Sequence, residues 1–240
     1  MATELPAASI WTICSQFSTG CRARCTSPIR LPVEHCECSA GRFSLGPLPR
    51  ISQVFDCVFL DMDGVLVNFM DGAHRAHGRT YVESEYPAGL WEIADHWAIT
   101  PDEFWAKIHA DPDFWHQLTP YAWCDEVLDL ARTVAKQVKI ATSPAKSPYC
   151  FSGKRIWWER FIPRDVELII CKSKHLLAAP GRLLIDDADH NVDAWRNANG
   201  SAVLFPQRWN TAIHNNPSAI NSPLEFVRKE AWGILASFEL

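Results

Sequence analysis

Five short apolar runs, "VFDCVFLD" (54–61), "QVKIATS" (137–143), "VELIIC" (166–171), "RLLIDD" (182–187) and "SAVLF" (201–205), are separated by stretches long enough to form helices. Runs this apolar suit strands covered on both faces, and such strands, joined by helical crossovers, lie parallel. The expected fold is therefore α/β, a parallel sheet with helices on both faces. Three of the runs close on polar residues at their carboxyl ends, "LD", "TS" and "DD". That edge is where open α/β sheets bind ligands.

At 240 residues and 48% hydrophobic, the chain can bury a substantial core, and its length suits one domain with an insertion. The insertion is legible after the first run. Residues 70–125 are rich in Trp, Phe, His and Asp, and "TPDEFWAKIHA" carries a Thr N-cap followed by an acidic first turn. "DPDFWHQL" opens on Asp and Pro and reads as a second helix start. A small helical cap over the sheet follows, with residues 51–69 and 126–240 as the core. Later, "GKRIWWERFIP" places Trp157 and Phe161 one turn apart on one helix face. Residues 1–50, rich in Pro, Ser, Cys and Arg without a sustained period, are read as a disordered extension outside the core.

Several function classes are disfavoured. The net charge of -5 lacks the electrostatic footprint of a protein that binds polymeric nucleic acid. No apolar run approaches the roughly 18 residues that cross a bilayer, so no membrane association is expected. The N-terminus has neither the basic start nor the apolar stretch of a secretory signal, and Glu4 and Glu34 count against an organelle transit peptide. Of nine cysteines, five precede residue 50, beside His35, but their C-x3-C and C-x-C spacings lack the paired C-x2-C pattern of zinc sites. The remaining four read as buried thiols of a reducing compartment, which points to the cytoplasm. His74, His77, His96, His109 and His116 lack a metal-ligand spacing and are read as surface or packing residues.

The chemistry concentrates in the polar strand ends. Asp61 and Asp63 follow a run too apolar to be exposed, so their charge needs a cation or hydrogen bonds. Asp186 and Asp187 repeat the arrangement on another strand. Parallel strands bring both pairs to one edge, where four carboxylates suit Mg2+, and Mg2+ commonly recruits substrate phosphate. Thr142 and Ser143 at a third strand end, with Lys154 and Lys174 between that strand and Asp186, supply groups for the remaining phosphate oxygens.

The ordered set "DMDGV", "TS", lysine and "DD" resembles the four motifs of the haloacid dehalogenase (HAD) superfamily of phosphotransferases, over residues 55 to about 210. Within it, "DMDGVLVNF", "IATSP", "GKRIWWERF" and "LLIDD" resemble the 5'(3')-deoxyribonucleotidase family of the cytosolic type C group. The resemblance implies a HAD-like Rossmannoid core, Asp61 as the nucleophile that becomes an aspartyl phosphate, and Asp63 as acid and base. It implies that Asp61, the backbone carbonyl of Asp63 and at least one of Asp186 and Asp187 hold the metal. Thr142 and Ser143 would contact the phosphoryl group, with Lys174 as charge stabiliser and Lys154 as a phosphate contact. Gly64 would leave the phosphate unobstructed. Asn191 and Asp193 would be outer contacts to the metal. Phe69 matches an aromatic position that packs on the nucleobase, and Trp91 matches a cap position more loosely; core packing is the alternative for both. A homodimer is also implied.

The expected function is a magnesium-dependent 5'-nucleotidase acting on deoxyribonucleoside monophosphates. Two alternatives stay open: a HAD phosphatase for a sugar phosphate or other small metabolite, and a catalytically silent HAD-like binding protein.

Overall fold

Alternation within the first apolar run decides how the sheet is covered. In the computed structural model, which describes residues 55–237, Val58 and Leu60 face one hydrophobic layer while Cys57 and Phe59 face another. The strands are β1 (Phe55–Leu60), β2 (Ala135–Thr142), β3 (Glu167–Ile170), β4 (Arg182–Asp186) and β5 (Ser201–Leu204). They form one sheet in the order β3-β2-β1-β4-β5, every pair parallel. Each coincides with an expected run.

The helices are α1 (Phe69–Ala76), α2 (Ile93–His96), α3 (Pro101–Ala110), α4 (Cys124–Val134), α5 (Cys150–Phe161), α6 (Asp189–Asn197), α7 (Ala212–Asn215) and α8 (Pro223–Ala236). The larger layer gathers Val127 and Ala131 of α4, Trp157 of α5 and Val227 and Ala231 of α8. The other face is covered by Val192 and Trp195 of α6, whose indole lies 5.2 Å from the Phe59 ring. No helix among the described residues is long and apolar enough to cross a membrane. What was read for residues 1–50, including the cysteines beside His35, lies outside the described residues.

This order places the site. From β1 the chain moves outward to β2 and β3, then crosses back to lay β4 on the other side of β1. A reversal of that kind opens a crevice beyond the strand ends. Asp61 follows the central strand, Thr142 ends one neighbour and Asp186 ends the other.

The insertion leaves and returns through a closed stem. Val67 bridges Pro120, the Asn68 amide donates to the Thr119 carbonyl at 2.9 Å, and the Tyr121 amide donates to the Leu66 carbonyl at 2.9 Å. Helix α1 is capped by Asn68, whose side chain accepts from the Asp71 amide at 3.0 Å. Helix α3 has the expected Thr100 cap, with Glu103 reaching back to the Thr100 amide at 2.8 Å. "DPDFWHQL" departs from expectation: it is a run of turns, not a helix. Asp111 accepts from the Asp113 amide at 2.9 Å, which favours a turn, and the adjacent Phe114 and Trp115 are both buried. Helix α5 closes the return, its buried Trp157 donating to the Leu118 carbonyl at 2.9 Å.

Among the cap histidines, His74 and His77 are packing residues. His74 lies against Tyr81 and Trp97, and its Nδ1 is 2.7 Å from the Met70 carbonyl; His77 stacks on Phe104. Burial pulls the His74 imidazole below its ordinary value of 6.5, against the pull of the Met70 carbonyl. The unfolded chain therefore takes up a proton first as pH falls. The stability that neutral His74 contributes is present above pH 6.5 and is lost as pH drops through its lower folded value. Urea unfolding between about pH 5 and pH 7 should give a shallower pH slope for His74→Leu than for the wild type; equal slopes would contradict this account.

Candidate active site

Where β1 ends, the chain turns sharply beneath the mouth of the insertion. The Asp61 amide continues the ladder to the Ile185 carbonyl at 2.9 Å, so Asp61 is held at the sheet edge. One of its carboxylate oxygens, Oδ1, accepts from the Met62 amide at 2.7 Å and from Lys174 Nζ at 2.6 Å. The other, Oδ2, has no hydrogen-bond partner among the described residues, and Asp61 lines a cavity of about 800 Å³.

Lys174 is buried and bridges two strands. Its ammonium also donates to Asp186 Oδ2 at 2.7 Å. Burial alone would lower its pKa, but the charges of Asp186 and Asp61 outweigh that and the net shift is upward. Lys174 is thus a fixed cation. Burial pushes Asp61 up to about 7; Lys174 opposes this, while Asp186 and Asp63 add to it.

Lys154 forms a second buried hub. Its ammonium donates to Asp63 Oδ2 at 2.5 Å, to the Thr142 hydroxyl at 2.6 Å and to the Ser143 carbonyl at 2.8 Å, and sits 5.0 Å above the Trp115 ring. Asp63 Oδ1 is buried without a partner. Ser143 lines the cavity, while Thr142, Lys154 and Lys174 are buried beside it.

One carboxylate oxygen each from Asp61, Asp186 and Asp187 lies within 4.8 Å of the others. The Asp63 side chain stands outside this group. Asp186 is engaged at both oxygens: Oδ1 accepts from the Ala188 backbone amide at 2.9 Å, Oδ2 from Lys174, and the Asn191 side-chain Nδ2 is 3.2 Å from each. Asp187 accepts from the Trp209 indole through Oδ2 at 2.8 Å, and its Oδ1 has no partner among the described residues. Burial, then the charges of Asp61 and Asp186, hold the Asp187 carboxyl well above the usual range. Asn191 thus touches the acidic group, whereas Asp193 is exposed.

Gly64 has a further reason beside the expected one. Its φ is 81°, and a Cβ there would lie 2.1 Å from Asp187 Oδ2, so the missing side chain makes room for a carboxylate.

The cavity wall away from the acids is aromatic. Phe69 stacks at 6.0 Å on Trp115 and lies 6.0 Å from Trp105, and all three line the cavity. Trp91 also lines it, 42% exposed and edge-on to His190 at 5.7 Å. Sequence reasoning missed Trp105, Trp115, Phe151 and Trp209, and read His109, which also lines the cavity, as a surface or packing residue. The one-turn spacing of Trp105 and His109 on α3 was a usable signal; the lone Trp209 after β5 had none.

A free carboxylate oxygen braced by a fixed cation, with a second carboxylate two residues on, is equipment for phosphoryl transfer. Such an arrangement suits the class of phosphomonoester hydrolases, here on a parallel α/β core. Residues 55–222 match the family described as 5' nucleotidase, deoxy (pyrimidine), cytosolic type C, and the chain belongs to that family. The cytosolic-type 5'(3')-deoxyribonucleotidase of Homo sapiens is 33% identical over 168 residues, which cover 66% of this chain and 81% of the relative. Among solved structures, a hydrolase from Streptococcus pneumoniae TIGR4 aligns at 13% identity and TM-score 0.45, over 70% of this chain and 99% of that one. A HAD-superfamily hydrolase from Geobacter sulfurreducens PCA aligns at 12% identity and TM-score 0.43, over 67% and 99%.

Gly64→Ala should push the Asp187 carboxylate aside in a backbone that disfavours a side chain. A displacement on the order of 1 Å at such a site costs about 100-fold in turnover. Steady-state phosphate release from the purified variant checks this, and near-wild-type turnover would refute the packing argument.

Proposed function

We propose that the chain is a magnesium-dependent 5'-nucleotidase that hydrolyses deoxyribonucleoside monophosphates through an aspartyl phosphate on Asp61. The observation that carries the reading is Asp61 itself, with Oδ1 held by Met62 and Lys174 and Oδ2 left without a partner at the cavity.

In the first half-reaction, Asp61 Oδ2 bonds to phosphorus as the ester P–O bond breaks, and Asp63 gives its proton to the departing alcohol oxygen. In the second, Asp63 takes a proton from water, the water oxygen bonds to phosphorus, and the bond to Asp61 breaks. Phosphate leaves with Asp61 restored and Asp63 again protonated. The unpartnered Asp63 Oδ1 is the oxygen at which the transferable proton would sit, since Lys154 engages the other. Lys174 offsets the charge that builds beside Asp61, and Lys154 holds Asp63 and the Thr142–Ser143 strand end, from which the two hydroxyls would contact phosphoryl oxygens.

The donor set fits Mg2+, which favours oxygen ligands. Asp187 keeps an unpartnered oxygen for the ion, and Asp61 would meet it through Oδ1, which leaves Oδ2 to bond phosphorus, while Asp186 is occupied by Lys174, Ala188 and Asn191. Asp61, Asp187 and the Asp63 carbonyl would hold the ion, with Asp186 orienting Lys174. When bound, the ion offsets the charge of the substrate phosphate and draws it to the nucleophile.

The aromatic wall supports a nucleotide over a sugar phosphate. Phe69, with Trp105 and Trp115 against it, offers stacking worth about 1–3 kcal/mol per base, and Trp91 sits on the same cavity. The deoxyribonucleotide follows the name of the human relative. The same name carries the cytosolic setting, which suits the four unpaired cysteines Cys57, Cys124, Cys150 and Cys171. A homodimer remains the expectation of the family resemblance.

Phosphate release should be measured from deoxyribonucleotides, ribonucleotides and sugar phosphates, with Mg2+ and with chelator. The expected pattern is turnover of deoxyribonucleoside monophosphates that needs Mg2+ and falls at least about 10³-fold in Asp61→Asn. A preference for sugar phosphates would remove the nucleotide reading, and undiminished turnover in Asp61→Asn would remove the mechanism.

A further inference from the structure

The four residues after β5 that follow Phe205 and Pro206, "QRWN", touch three separate parts of the site. The Gln207 side-chain amide donates to the Gly64 carbonyl, on the turn that follows Asp61 and Asp63. Arg208 donates to the Tyr86 carbonyl and, at 3.0 Å, to the Ser84 carbonyl, and its own carbonyl accepts from the Gly89 amide at 2.8 Å. Both partners of the guanidinium belong to the insertion. The buried Trp209 donates through its indole nitrogen to Asp187 Oδ2 at 2.8 Å.

This short loop is also tied by hydrogen bonds of its own. The Asn210 side-chain amide donates to the Asp187 carbonyl at 2.8 Å and to the Phe205 carbonyl at 2.7 Å. Its oxygen accepts from the amides of Gln207 at 3.3 Å and Ala212 at 3.2 Å. Trp209 is therefore presented from a backbone pinned at both ends, and its indole nitrogen can only donate.

We propose that Trp209 is the positioning residue of the acidic centre: its N–H occupies Asp187 Oδ2, so that Oδ1 is the oxygen left for a divalent cation. The proposal rests on the reading of Asp187 as a Mg2+ ligand. Two contacts determine the orientation of the carboxylate. The backbone of Gly64 lies so close to Oδ2 that a Cβ would overlap it, which limits the rotation of the group, and the indole N–H fixes Oδ2 within that limit. Without the N–H, both oxygens lack a directed partner and the carboxylate loses its preorganised pose. Partners of this outer kind typically account for about 10–100-fold in metal affinity.

The experiment is Mg2+ titration of the full chain by isothermal calorimetry, on wild type, Trp209→Phe, Asp187→Asn and the double variant. Trp209→Phe should weaken Mg2+ binding about 10-fold or more, and Trp209→His, which retains a ring N–H, should recover part of that loss. In the double variant, the Trp209 change should add little to Asp187→Asn, because it acts through that carboxylate. A purely structural role would instead make the two losses additive, and would overturn the proposal. Wild-type affinity in Trp209→Phe, with binding weakened in Asp187→Asn, overturns it too and leaves the Mg2+ reading standing. Unweakened binding in Asp187→Asn removes the Mg2+ reading itself. Should Trp209→Phe fail to fold by circular dichroism, Trp209→Leu removes the same N–H and carries the comparison.

Discussion

Four carboxylates meet at one end of a parallel sheet, and the rest of the structure depends on how their charge is offset. Removing even one bare carboxylate from water costs several kcal/mol. Two buried ammonium groups meet that cost in different ways. Lys174 joins Asp61 to Asp186 across the central strand and its neighbour, while Lys154 joins Asp63 to the end of β2. Lys154 donates to three partners and Lys174 to two, and the oxygens left free are on Asp61 and Asp187, on the cavity side, and on Asp63. Electrostatic balance and chemical readiness thus come from one arrangement.

The topology makes that arrangement local. Because β1 is central and its neighbours β2 and β4 are both parallel to it, three strand ends deliver their last residues to one small region. The insertion leaves at Val67 and returns at Pro120, a few residues beyond Asp63, so its aromatic wall is anchored beside the carboxylates it encloses. Phe69 and Asp61 line the same cavity. Aromatic and acidic side chains line one cavity because they share a turn.

Legibility followed the range of the physical signal. Asp61, Thr142 and Asp186 each adjoin an apolar run, so a burial argument covering a few residues was enough to single them out. Thr100 was legible for the same reason, since a helix cap and its Glu103 partner are three residues apart. The aromatic residues were not. A tryptophan filling a core and one lining a cavity leave the same mark in a sequence, and Trp105 and Trp115 differ from Trp157 and Trp195 only in what lies across from them. "DPDFWHQL" was misread because its Asp and Pro suit a helix start and a turn equally, and the choice fell to the burial of Phe114 and Trp115 together.

The sequence by itself determined the strands, the polar residues that end them and the family to which they belong, because each is written in contiguous residues. Only the tertiary structure decided how the charges pair, which oxygens stay free and why Gly64 has no side chain. Lys154 is 91 residues from Asp63, and Trp209 is 22 from Asp187. Hydrogen bonds act over about 3 Å in space and are indifferent to separation along the chain. Which partners come within that range is therefore settled by the fold.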